Sequence, residues 1–129
     1  MRTTLWVRLM GLSLLSLAAP AAAHHSWTAE YDAKKPVTVK GTVTKVEWTN
    51  PHTHFYIDSK DDAGTVTNWN FEMASVLALE RAGWTRKTLQ VGDQVTIAGF
   101  GGKAVTTKAV ASSITSADGR ALFEGKLGQ

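Results

Sequence analysis

The chain has no cysteine among its 129 residues and only three prolines. Without thiols there is no disulfide stapling, no thiolate metal centre and no cysteine nucleophile, so the core must hold the fold alone. No serine stands in a nucleophile-elbow motif. Asp58, Asp61 and Asp62 read as a strand end and a turn, not as paired catalytic carboxylates, so the common hydrolytic arrangements are missing. Beyond the first 23 residues there is no internal repeat and no low-complexity block. Dense basic clusters are absent too: Lys34-Lys35 and Arg86-Lys87 are the closest groupings. The apolar run from Leu9 to Ala19 is too short to cross a bilayer.

What that run does carry is the pattern of an export signal. Arg2 and Arg8 flank its start and small residues follow it, as in a secretory signal peptide. Small residues are required at the last and third-last positions before the cut. Ala21 with Ala23 fits and leaves His24 first, whereas Ala19 with Ala21 leaves Ala22 first. Residues 1–23 take Arg2, Arg8 and no acidic residue with them, so the formal charge drops by two, from +3 to +1. A periplasmic or secreted location with so small a charge predicts no nucleic-acid partner, and contact with a membrane only through an uncleaved signal. The 106 residues that remain suffice for one domain and not for two.

Residues 24–36 form a polar lead-in with Trp27 and Tyr31 as anchors, and residues 37–117 carry the fold. From Val37 the period is two: Val37, Val39 and Val43 face one way and Thr38, Lys40, Thr42 and Thr44 the other. Val46 and Trp48 fall on the opposite phase, which predicts a bulge or sharp bend after Gly41. A second strand, HTHFYIDS, puts Thr53, Phe55 and Ile57 inward and His52, His54, Tyr56 and Asp58 outward. A third, TVTNWNFE, puts Trp69 and Phe71 inward and Asn68, Asn70 and Glu72 outward. Folding this hairpin about Asp62 pairs Phe55 with Trp69, Tyr56 with Asn68, His54 with Asn70 and His52 with Glu72. A short helix over 74–82, stopped by Gly83, precedes strands over 94–100 and 105–115, and residues 118–129 read as a loose tail. The expected fold is all-β with one short helix, in the order β-β-β-α-β-β of a five-stranded OB-fold-like barrel.

The segments AHHSW, VKGTVTKVEWTNPHTHFYID and ERAGWTRKTLQVGDQVTI resemble the exported bacterial proteins grouped as domain-of-unknown-function family 6152. The resemblance spans nearly all of the mature chain; it implies a small secreted protein and supplies no activity. The arrangement is also similar to the OB barrel of periplasmic haem chaperones, without their haem-attaching histidine region near the C-terminus.

The four histidines occur as two pairs and nowhere else. His52 and His54, two apart on a strand, leave the same face close enough to share one ion. His24 and His25 stand at the expected mature start. Imidazole nitrogens suit copper, zinc and nickel. With His24 first, its amine and ring chelate together and leave His52 or His54 to complete a T-shaped nitrogen set; with Ala22 first, the chain end alone makes a square-planar site. Glu72 is placed as a ligand or as the group that orients the His52 ring. These residues predict a copper-binding protein, with copper as cofactor and a metal donor or acceptor, or another periplasmic protein, as partner. No catalytic residue is assigned, and copper-dependent redox activity is a minor branch. The alternative is a metal-free OB module that takes an oligosaccharide, peptide or protein on a face made by Trp48, Tyr56, Asn68 and Asn70.

Overall fold

A computed structural model describes residues 27–125. The chain runs α1 (Trp27–Glu30), β1 (Tyr31–Glu47), β2 (His54–Lys60), β3 (Val66–Glu72), α2 (Val76–Arg81), β4 (Gln94–Gly102), β5 (Lys108–Ser116) and β6 (Ala121–Glu124). All strand pairs are antiparallel except β3 with β5. In the order β3-β2-β1-β4-β5-β6, that parallel pairing brings β3 onto β5, closes β1 to β5 into a ring and leaves β6 outside it. The fold is therefore OB-fold-like, with the helix between β3 and β4 as the sequence predicts. The short α1 and the sixth strand add to the expected plan.

Strand β1 makes the closure possible because its two halves pair with different neighbours. Pro36 to Thr42 pair with β4, while Thr42 to Glu47 pair with β2, with a register shift between Val43 and Lys45. The predicted bulge is this shift. Gly41 sits where β1 presses on β2: a Cβ there would lie 2.2 Å from the Asp58 carbonyl oxygen. Only glycine lets the two backbones approach so closely.

Alternation then sorts the side chains. Phe55 and Ile57 from β2, Phe71 from β3, Ile97 from β4 and Ile114 from β5 are fully buried inside the ring, and Leu79, Trp84 and Leu89 are buried in the same core. Each such side chain contributes roughly 1.5–3 kcal/mol by leaving water. Helix α2 starts at Ser75, whose hydroxyl accepts from the Ala78 amide, and stops before Gly83, whose φ is +87°.

Two departures from the sequence reading have local causes. In the β2–β3 hairpin Lys60 pairs with Val66 and Phe55 with Phe71, so the centre of the turn is Ala63 and every pair slides by two residues relative to a fold about Asp62. Gly64 supplies the left-handed φ of +86° there, and Asp61 accepts the Thr65 amide on its side chain. A slide of two leaves the faces unchanged. The tail is not loose where β6 pairs with β5 and the Trp84 indole N–H donates to the Leu122 carbonyl at 3.0 Å.

Candidate functional site

The outer face of β1, β2 and β3 carries the polar residues left over once the ring is packed. Thr53 is the pivot: fully buried, it exchanges backbone hydrogen bonds with Met73 and Ala74 and donates its hydroxyl to the Ala74 carbonyl. Its neighbours His52 and His54 are therefore both turned outward, as the period of two predicts.

His54 is held by a chain of hydrogen bonds with a fixed direction. Its Nδ1 lies 2.9 Å from Asn70 Oδ1; the Asn70 amide donates to the Tyr56 hydroxyl at 3.4 Å, and that hydroxyl donates to Glu47 Oε2 at 3.2 Å. Lys45 closes the chain on Glu47 Oε1 at 2.5 Å and lies over the Tyr56 ring. The ion pair with Lys45 pulls the Glu47 carboxyl below its usual range and pushes the Lys45 ammonium up. Since the chain ends on a carboxylate, each member must donate toward it, so His54 Nδ1 carries the proton.

His52 is held by a second such group. Its Nδ1 meets Glu72 Oε1 at 2.5 Å, and the Tyr31 hydroxyl donates to the other oxygen of the same carboxylate. Lys108 Nζ stands 3.5 Å from Glu72 and 2.9 Å from Glu30, over the Tyr31 ring. Burial pushes the Tyr31 phenol well above its ordinary value, reinforced by the hydrogen bond to Glu72. Burial pulls the Lys108 ammonium down, but its pairs with Glu30 and Glu72 outweigh that and leave it raised. Glu72 has a side chain only 13 % exposed, whereas that of His52 is 42 % exposed.

The arrangement thus pins both imidazoles through Nδ1, and among the described residues neither Nε2 has a hydrogen-bond partner. Metal-binding histidines have this form: an oxygen acceptor fixes one nitrogen so that the other presents its lone pair. Glu72 is the oxygen partner of the His52 ring. Among the described residues, however, no group of three or more histidine, aspartate or glutamate side chains is placed to hold a metal ion. His24 and His25 lie outside the described residues.

The metal-free face fares differently. Trp48 is only 7 % exposed and belongs to the core, a correction to its placement on a ligand face: the phase change at the bulge turns it inward with Val46. Tyr56 lies under Lys45, and Asn68 is spent on Asp58 Oδ1 at 2.7 Å and the Thr44 hydroxyl at 3.2 Å. Tyr31 and Lys108 are the members of the site that sequence reasoning missed. Their partner Glu72 is 41 residues from Tyr31 along the chain, and only the β3–β5 closure brings Lys108 to it; the aromatic anchor at Tyr31 was the one available signal.

Two solved structures of the mitochondrial single-stranded DNA binding protein Rim1 from S. cerevisiae are similar to this chain. They are 14% and 16% identical, with TM-scores of 0.48 and 0.47; each match covers 70% of this chain and 96% or 97% of the other. The exclusion of nucleic acid as a partner, drawn from charge and compartment, is corrected by these neighbours and withdrawn; the likeness goes no further. No curated protein matches the sequence. The sequence profile of a family described as "Family of unknown function (DUF6152)" matches residues 12–111.

Proposed function

The chain belongs to DUF6152, and because that membership brings no activity with it, we propose from the geometry that this is a small exported protein that binds a transition metal, copper first, on the Nε2 atoms of His52 and His54. The observation that carries the reading is the paired restraint: two independent hydrogen-bonded groups, each ending on a carboxylate, hold two neighbouring imidazoles through the same ring nitrogen. A solvated histidine gains little from such support, whereas a ligand gains orientation and basicity. Two imidazoles with open positions suit capture and transfer better than permanent storage. The bound ion would be held by His52 and His54, with Glu72 and Asn70 behind them, and would supply an exchangeable Lewis-acid centre.

The metal-free reading is the weaker one, since Trp48 is buried and the polar groups of Tyr56, Asn68 and Asn70 already bond to one another or to neighbouring carboxylates. The test is titration of untagged protein, exported by its own signal, with Cu(II) and Zn(II), beside His52→Ala/His54→Ala. One copper per chain, lost in the double variant with the fold intact by circular dichroism, is the expected result. Equal retention by both proteins, or by neither, refutes the proposal. A ligand bound equally with and without a chelator, and lost in Tyr56→Ala, would favour the metal-free face.

A further inference from the structure

We infer that the cleft between the loop after α2 and the β5–β6 turn is a second binding site, independent of the histidine pair, and that it takes a small phosphorylated polyol.

Two hollows adjoin there. The first, of about 410 Å³, has Trp84, Lys87, Thr88, Arg120 and Leu122 in its lining. The second, of about 310 Å³, shares Thr88, Arg120 and Leu122 with it and adds Asp93 and Asp118. Each falls within the range of about 300–1,000 Å³ usual for small-ligand sites. Neither contains a residue of the site around His52 and His54. The exposed lining of the first hollow is mostly polar, so it has little to offer an acyl chain.

Both walls of the cleft are braced. On one side the Thr85 amide donates to the Thr88 hydroxyl oxygen at 2.9 Å and the Lys87 amide to the Thr85 hydroxyl oxygen at 3.1 Å. On the other, the Ser116 amide and hydroxyl both donate to the Arg120 carbonyl, at 2.9 and 3.1 Å. The Trp84 indole, bonded to the Leu122 carbonyl, ties the two walls together. Binding groups carried on such turns need little reordering when a ligand arrives.

The first hollow is a place for an anion. Lys87 and Arg120 are the only charged side chains that line it, and among the described residues neither cationic group has a hydrogen-bond partner. The Thr88 oxygen already accepts, so its hydroxyl proton is left to donate. Two cations and a hydroxyl donor match a phosphate monoester, with about 1.5 to 2 negative charges at neutral pH and three strong acceptor oxygens. A carboxylate has one charge and two oxygens, and meets the set less fully.

The second hollow has the opposite character. Asp93 accepts the Gln90 amide on Oδ2, and Asp118 accepts the Ser116 hydroxyl and the Arg120 amide on Oδ1. Among the described residues, Asp93 Oδ1 and Asp118 Oδ2 have no such donor. Carboxylates repel phosphate and accept from hydroxyls, so the two hollows give the ligand a direction: phosphate at Lys87 and Arg120, hydroxylated carbons toward Asp93 and Asp118.

The experiment titrates the full exported chain with glucose 6-phosphate, inorganic phosphate, glucose and vesicles containing phosphatidic acid, following backbone amides by nuclear magnetic resonance. The same probes are applied to Lys87→Ala/Arg120→Ala, Asp93→Asn and His52→Ala/His54→Ala, with the thermal midpoint as the check on folding. Lys87 and Arg120 are exposed, and alanine keeps the backbone bonds at both positions. The expected result is saturable shifts at residues 83–88 and 118–122 with the sugar phosphate, weaker binding of inorganic phosphate and none of glucose. Affinity should fall at least about 10-fold in Lys87→Ala/Arg120→Ala and stay unchanged in the histidine variant. In Asp93→Asn the advantage of the sugar phosphate over inorganic phosphate should shrink. No saturable shift with either phosphate, or equal binding by the Lys87→Ala/Arg120→Ala variant, overturns the inference. Glucose binding as well as its phosphate overturns the anion site, equal binding of inorganic phosphate overturns the place given to the polyol, and binding to the vesicles alone overturns the soluble ligand.

Discussion

Tyr31→Phe isolates one bond of the site without disturbing its packing. The ring of Tyr31 is 2 % exposed and lies under Lys108, and phenylalanine keeps both features; what is lost is the hydroxyl that donates to Glu72. A hydrogen bond to a charged acceptor contributes about 1.5–3 kcal/mol, so the variant is expected to be less stable by about that amount at pH 7. The pH dependence sharpens the test. The native phenol is held above its ordinary value, chiefly by burial and then by Glu72, so in alkali the unfolded chain gives up this proton while the folded chain keeps it. With fewer protons on the unfolded state, stability falls as pH rises. The Tyr31 contribution is therefore whole below the unfolded value near 10 and declines by about 1.4 kcal/mol per pH unit above it. Phenylalanine has no such slope, so the gap between wild type and variant should shrink by about 1 kcal/mol between pH 10 and pH 11, and by about 1.4 kcal/mol between pH 7 and pH 11. Lys108 is present in both proteins and cancels in the difference. Urea unfolding followed by tryptophan fluorescence at pH 7, 10 and 11 measures the gap. A gap that stays constant from pH 7 to 11 refutes the reasoning, because the hydroxyl would then titrate alike in both states.

Further outcomes follow from the same geometry. Asn70→Ala should cost the site about 10–100-fold in copper affinity by freeing the His54 ring, as read by competition titration, with a much smaller change in thermal midpoint. Gly41→Ala should unfold the protein or cost more than about 3 kcal/mol in a urea series, because the added Cβ meets backbone and not a movable side chain. Phe55→Ala, fully buried at the centre of the ring, should cost about 3–5 kcal/mol in the same assay.

The strands, the bulge in β1, the single helix after β3 and the faces of the hairpin were all legible because each is a matter of period and punctuation along the chain. The hairpin register was not, since the position of Gly64 moves the centre of the turn by one residue and hence the pairs by two. The slip did no harm to the site: diagonal neighbours on one face still touch, so His52 still meets Glu72 and His54 still meets Asn70. Trp48 was misplaced because a bulge changes which face the following residues take, and the sequence does not mark the residue at which it occurs. The contribution of Tyr31 and Lys108 was hidden for a different reason. It depends on β3 and β5 meeting in parallel, a pairing between strands separated by a helix and a further strand that no local pattern announces.

The sharing of β5 has a bearing on how copies of this chain behave in concentrated solution. Lys108 to Val110 pair with β3, and farther along the same strand Ser113 to Thr115 pair with β6, so the short last strand takes up hydrogen-bonding groups beyond the reach of β3. Each of the five ring strands has a neighbour on both sides, and the outermost strand of the sheet is only four residues long. Extended unpaired edges are what let β proteins recruit one another into aggregates, and short ones are poor templates. Among the described residues of this disulfide-free chain, the open edges are thus kept to short stretches such as β6 and the start of β3.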